Sequence, residues 1–256
     1  MSNVVDQSRW DDSYQHYQFH SQENALLTHE ICRTLQAVGA VPRGRCFEVG
    51  CYPCGFLAAL GKTYDLEING VDITSVPFEP LYAWLDSQNV RRGEILRGDA
   101  FAVIDQLASK GQSYDLVYSL GFIESLGFIE HFNNFLEVID THDKIVVPGG
   151  LLLIATPNFR GWLQHFLHNW LDRKNLEGHV LPSMDPALWA RHLANRYDVL
   201  FAGHVGGFDF WDEPQQRTPL QKLALKVVDK TSGKLTNLPS HPSYAPYCLL
   251  IAQKKE

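Results

Sequence analysis

Glu48 lies in a short apolar run, Cys46-Phe47-Glu48-Val49, that leads directly into Gly50-Cys51-Tyr52-Pro53-Cys54-Gly55 and an apolar helical pattern from Phe56. A strand ending in a carboxylate, a glycine turn and a helix start together form a unit whose loop can bring backbone N–H groups close to a ligand. A second acidic residue, Asp72, stands near the end of the next strand-like run, 72 − 48 = 24 positions further on. A carboxylate there suits the paired hydroxyls of a ribose. The chemistry these residues predict is the holding of a nucleoside-bearing cofactor. The same loop contains Cys51-Tyr52-Pro53-Cys54, the spacing of a redox dithiol or of half a zinc site. No second C-x-x-C completes a tetrahedral set, and thiol chemistry gives Glu48 and Asp72 no task. No metal is expected.

The elements that would position these residues alternate. Runs rich in apolar and β-branched residues fall at 46–50, 67–73, 94–96, 116–119 and 151–156, with helical patterns at 56–62, 80–88, 102–110 and 132–139. That alternation predicts an α/β fold, Rossmann-like, with a largely parallel sheet and helices on both faces. An earlier helix over 23–38 puts Leu26, Leu27, Ile31, Leu35 and Val38 on one face. Two late runs, 199–202 and 247–252, read as an antiparallel pair closing the sheet edge. Residues 1–40 are expected to cover the cofactor site. Residues 41–256 form the main domain, with helical cap insertions at about 159–195 and 208–246. Lys222, Lys226 and Lys230 form an i, i+4 stripe opposite Leu223 and Val227, read as a solvated helix face.

Bulk properties narrow the partners. A chain of 256 residues buries roughly 70–75% of its unfolded surface, enough for one sizeable core. Net charge −7 offers no basic footprint for a phosphate backbone, so nucleic acid is excluded as a partner. The first 22 residues lack the cationic and apolar regions of a signal peptide, and no apolar run reaches the ~18–20 residues that span a bilayer. Five cysteines in such a chain predict reduced thiols and a cytoplasmic protein without membrane attachment. A local duplication follows the fourth strand. Ser119-Leu120-Gly121-Phe122-Ile123-Glu124 recurs unchanged as Ser125-Leu126-Gly127-Phe128-Ile129-Glu130, followed by His131-Phe132. Twelve residues are too few for a repeat architecture.

Together these elements resemble the class I S-adenosylmethionine-dependent methyltransferases, over roughly residues 45–158. In that family an acidic residue leads into E-x-G-x-G-x-G. Here the segment is Glu48-Val49-Gly50-Cys51-Tyr52-Pro53-Cys54, with Gly55 displaced by one place and only the first glycine kept. Gly70-Val71-Asp72-Ile73 is similar to the ribose-binding strand end, and Arg97-Gly98-Asp99-Ala100 to the segment meeting the adenine amino group. Tyr114-Asp115-Leu116-Val117-Tyr118-Ser119 resembles the fourth strand, Ile129-Glu130-His131-Phe132 the segment after it, and Pro148-Gly149-Gly150-Leu151 to Asn158 the fifth-strand motif. The resemblance implies S-adenosylmethionine as cofactor, contacted by Glu48, Gly50, Cys51, Tyr52, Gly55, Asp72, Ile73, Asp99, Ala100, Ser119 and Leu120.

S-adenosylmethionine has no phosphate, so a full pyrophosphate cradle is not required. Its sulfonium is stabilised by aromatic faces at ~0.5–2 kcal/mol each. Trp10, Tyr14 and Tyr17 recur at helical spacing, and either close over the cofactor or pack on the core. For an alcohol acceptor a base adds ~10²–10⁴ in rate. His131 is the first candidate, against a structural role at a helix start, and His179 the second; Glu124 and Glu130 are interchangeable by sequence. The leading expectation is O-methylation of a small polar acceptor, a sugar or natural-product hydroxyl. N-methylation of a small amine and a catalytically silent binding module are the alternatives. A dinucleotide dehydrogenase lacks its G-x-G-x-x-G here.

Overall fold

The structure is a computed structural model that describes residues 11, 14–15, 17–120, 129–213 and 215–256. Its centre is a seven-stranded sheet of β1 (Arg45–Val49), β2 (Glu67–Asp72), β3 (Arg91–Arg97), β4 (Tyr114–Leu120), β5 (Val146–Pro157), β6 (Tyr197–Val205) and β7 (Tyr247–Lys254). The spatial order is β3-β2-β1-β4-β5-β7-β6. β1 to β5 pair in parallel, and β7 runs antiparallel between β5 and β6. The order reverses between β1 and β4, so a crevice opens beyond the carboxyl ends of those strands.

The central strands are apolar on both faces because both faces are covered. Cys46, Leu116, Tyr118, Leu153 and Leu249 point into one core. Phe47, Val117, Leu152, Ile154 and Leu250 point into the other. The first core is closed by α1 (Leu26–Ala37), α2 (Gly55–Tyr64) and α3 (Glu79–Ser87). The second is closed by α4 (Ala100–Ser109), α5 (Phe135–Asp143) and α8 (Pro186–Leu193), where Trp189 is fully buried. Between β5 and α8 lie α6 (Trp162–Leu171) and α7 (Arg173–Glu177), and α9 (Pro219–Leu235) precedes β7. α6 and α9 share a third apolar cluster with Phe208 and Phe210.

Several boundaries differ from the sequence expectation, each for a physical reason. β3 and β6 are longer than expected because they are edge strands, whose polar flanks hide their ends from a pattern of apolar residues. β5 begins at Val146, before Pro148-Gly149-Gly150, because its register against β4 shifts between Tyr114 and Leu116 and absorbs the proline and glycines. α9 packs through Leu225, Val228 and Leu235. Leu223 and Val227, expected opposite the lysine stripe, are themselves 62% and 60% exposed. Among the described residues, no helix is long and apolar enough to cross a membrane.

Candidate cofactor and acceptor site

β1 delivers Glu48 to the switch point, and the turn after it is tied to β2. Gly50 (φ +75°) and Cys51 both donate their N–H to the carbonyl of Val71, at 2.9 and 3.1 Å. Gly70 makes this possible, since a Cβ there would sit 2.8 Å from the Cys51 Cβ and 2.9 Å from the Glu48 carbonyl oxygen. Tyr52 donates its N–H to Oδ2 of Asp72 at 3.0 Å, and Cys54 donates to the Cys51 carbonyl. Pro53 has no N–H to give. Over residues 50–54, then, every backbone N–H is used internally. Cys54 sits at φ +67°, the left-handed conformation in which a glycine would be unstrained. The backbone shape survives where the family's glycine does not.

Tyr52, 1% exposed, sends its ring into an aromatic cluster with Tyr14, Phe19 and Phe78 at centroid distances of 4.8, 6.0 and 5.7 Å. Tyr14 thus packs on the core, while Tyr17 lines a small cavity beside Glu48 with Gln22, Cys51, Pro53, Gly55 and Phe56. Its volume of about 10 Å³ is room for roughly one water molecule. Gly55 opens α2 against His20 and Gln22, where a Cβ would clash. Trp10 lies outside the described residues. Asp11, which the sequence did not single out, accepts from Thr74 Oγ1, Ser75 N and Ser75 Oγ at 2.7–2.8 Å and ties the N-terminal segment to the loop after Asp72.

Two buried carboxylates face this region. Glu48 is 1% exposed, and its Oε2 has no hydrogen-bond partner among the described residues. Burial, and then the neighbouring Asp72 carboxylate, push its pKa well above the usual range. Asp72 holds Tyr52 N on one oxygen and Thr74 N (2.9 Å) on the other. Burial raises its pKa to about 6 against these opposing bonds. A carboxylate has about four lone-pair sites, so Asp72 retains acceptor capacity. The thiols of Cys51 and Cys54 are buried, and burial raises both. That is the opposite of a reactive dithiol.

The remaining expected residues ring the same end of the sheet. Ile73 is 43% exposed beside the buried Asp72. Asp99 caps α4, its Oδ1 accepting from Phe101 N (2.8 Å) and Ala102 N (3.1 Å), which starts the helix at Ala100 rather than at 102. Ser119 and Leu120 end β4 and are buried. Residues 121–128, with Glu124 and most of the duplicated hexapeptide, lie outside the described residues.

Beyond them the structure joins residues that the sequence kept apart. A 3-10 turn, Ile129–His131, buries Glu130 (1% exposed) and His131 (3%). Val180 donates its N–H to the Glu130 carbonyl at 2.8 Å, docking the cap segment on this turn. His131 Nδ1 donates to the Gly178 carbonyl and His179 Nδ1 to the Asn175 carbonyl, both at 2.8 Å. Their ring centroids are 4.6 Å apart, and Phe159 flanks His179 at 4.9 Å. No motif links positions 131 and 179; only the docking of the cap brings them together. Sequence reasoning also missed the anchor of that cap. Asp172, fully buried, accepts from Asn175, Gln215 and the Glu213 N–H and contacts His168.

A family model described as a methyltransferase domain matches residues 14–196. The plantazolicin methyltransferase BamL, solved with a triazolic desmethylPZN analog and SAH, shares the fold at TM-score 0.55 with 12% identity, covering 97% of this chain and 89% of that one. The PH0226 protein from Pyrococcus horikoshii OT3 matches at TM-score 0.54 with 14% identity, covering 95% and 99%. A chain from Streptococcus mutans assigned to the SAM-dependent methyltransferases matches at TM-score 0.49 with 11% identity over 87% of this chain, which spans 48% of its length. Curated protein sequences give no significant match. With the Rossmann-like sheet, its switch-point carboxylates and a family match over most of its length, the chain belongs to the methyltransferase-domain family and is an S-adenosylmethionine-dependent methyltransferase.

Proposed function

We propose that this enzyme methylates a hydroxyl group on a small polar acceptor, a sugar or natural product. The observation that carries the reading is the pairing of His131 and His179 after β4, their Nδ1 atoms fixed by backbone carbonyls. In the neutral ring that arrangement leaves Nε2 as the lone-pair nitrogen. Two such nitrogens suit an acceptor that must lose a proton as it attacks.

On the donor side the residues fit the cofactor. Glu48 carries a buried carboxylate oxygen with no hydrogen-bond partner among the described residues, and the N–H groups of the turn beside it are used internally. That suits an ammonium and a sulfonium, and opposes a phosphate. Glu48 would take the ammonium, with Gly50, Cys51, Tyr52 and Gly55 shaping the turn around it. Asp72 would accept from the ribose hydroxyls with its remaining lone pairs. Ile73 offers an exposed apolar surface for the adenine ring. Asp99 and Ala100 at the start of α4 suit the adenine edge, with Ser119 and Leu120 behind it. When bound, S-adenosylmethionine supplies an activated methyl group for in-line transfer. The protein holds donor and acceptor in line, worth ~7–11 kcal/mol of the barrier, and Nε2 of His131 or His179 receives the hydroxyl proton.

Calorimetric titration with S-adenosylhomocysteine, followed by a screen of hydroxyl and amine acceptors with labelled cofactor, tests this. Hydroxyl acceptors should be labelled, and His179→Gln should lower kcat by ~10²–10⁴ with homocysteine-product binding retained. Labelling of amines alone would refute O-methylation. Absence of binding at millimolar ligand would favour a silent module.

A further inference from the structure

Glu130, His131 and His179 each place one donor atom within 4.8 Å of the other two. Two imidazoles and one carboxylate are a donor set that zinc-type cations use. Both rings are already oriented for this. The Gly178 and Asn175 carbonyls hold the Nδ1 protons, which leaves Nε2 as the lone-pair nitrogen of each neutral ring. A carbonyl on the distal nitrogen is the outer contact that fixes a metal-bound histidine. Glu130 and His131 are buried, whereas His179 is half-buried. The three arise from two segments locked together by the Val180 to Glu130 backbone bond.

We propose that this trio binds one divalent transition-metal ion, with a coordination position open for the acceptor's oxygen. An ion at ~2.0–2.2 Å from each donor needs donors about 3–4 Å apart, so binding draws the three donor atoms together by roughly 1 Å. Cysteine spacing gave no metal site at the sequence level because the ligands are two histidines 179 − 131 = 48 positions apart. The inference deepens the O-methylation reading and rests on it only for what the ion does; with the ion bound both Nε2 lone pairs are engaged, so acidification of the hydroxyl by the ion replaces the histidine base of the metal-free reading. A coordinated hydroxyl becomes more acidic, its proton passes to solvent, and the oxygen then forms the C–O bond as the methyl–sulfur bond breaks toward sulfur.

The test is titration of the metal-stripped full-length chain with Zn²⁺, and separately with Co²⁺, by calorimetry and cobalt absorption. The chain has 11 histidines, so His29, exposed on α1, serves as control. The expected result is one ion per chain, with His131→Gln and His179→Gln each weakening binding by at least ~10-fold and His29→Gln leaving it unchanged. Circular dichroism shows whether each variant is folded; if buried His131→Gln is not, half-buried His179→Gln decides alone. Absence of stoichiometric binding, or wild-type binding in folded His179→Gln, overturns the proposal. S-adenosylhomocysteine binding and methyl transfer in the metal-free chain would sink the ion and leave the transferase reading standing. Stoichiometric Zn²⁺ binding with no hydroxyl acceptor labelled would do the reverse.

Discussion

Replacing Glu48 by glutamine removes a charge and almost no volume, and its effects separate cleanly. In the folded chain Glu48 is 1% exposed, and burial followed by the Asp72 carboxylate pushes its pKa well above the usual range. A raised folded pKa contributes stability that is complete below the unfolded pKa and is lost as pH rises through the folded one. Without cofactor the side chain is thus held toward its neutral acid, and Glu48→Gln should unfold no more easily than wild type in urea at neutral pH. An arriving ammonium reverses the preference, because Glu48 can ionise against it. The charge-assisted bond is worth ~1.5–3 kcal/mol, so the variant should bind S-adenosylhomocysteine about 10–150-fold more weakly. Wild type should also release protons on binding, and the variant fewer. Calorimetry in two buffers of different ionisation enthalpy reads both quantities. Equal affinity with equal proton release would refute the assignment of the ammonium to Glu48. Destabilisation of the free variant by more than about 2 kcal/mol would show that Glu48 is ionised and paired before ligand arrives.

Asp72 gives a second pH signature, best read in the Glu48→Gln chain. Its folded pKa of about 6 means its stability contribution fades as pH rises through that value, while ribose hydroxyls favour the ionised form. Affinity for S-adenosylhomocysteine should therefore fall, by at most ~10-fold per pH unit, as pH drops below about 6; a flat profile would contradict it. Gly70→Ala forces a methyl against Cys51 and the Glu48 carbonyl. It should cost ~1–3 kcal/mol in denaturant unfolding and weaken cofactor binding together, and a silent substitution would show that the turn is not held there. The Cys51 and Cys54 thiols, buried and raised, should resist alkylation in the native protein, and rapid modification would reopen a redox role. Asp172→Ala leaves Asn175, Gln215 and the Glu213 N–H without their buried acceptor. It should destabilise the cap by ~1–3 kcal/mol, detected as early proteolysis within residues 159–246.

Local chemistry made the frame legible. Glu48, Asp72 and the alternating apolar runs placed β1, β2 and the crevice because a strand buried on both faces must be apolar in sequence, whatever it packs against. The same logic weakened at the edges, where the arginine ends of β3 and the Asp198 and Gly203-His204 interruptions of β6 break the apolar pattern. It also could not show where the N–H groups of the glycine turn go: Val71 and Asp72, on another strand, take those of Gly50, Cys51 and Tyr52. Asp11 was invisible for the same reason: its meaning lies in Thr74 and Ser75, more than 60 positions away. The cluster of Glu130, His131 and His179 is the plainest case. The sequence supplied each side chain, but periodicity is a property of one element and says nothing about how two elements dock. Only the packing of the cap on the 3-10 turn after β4 gave two histidines a common neighbour.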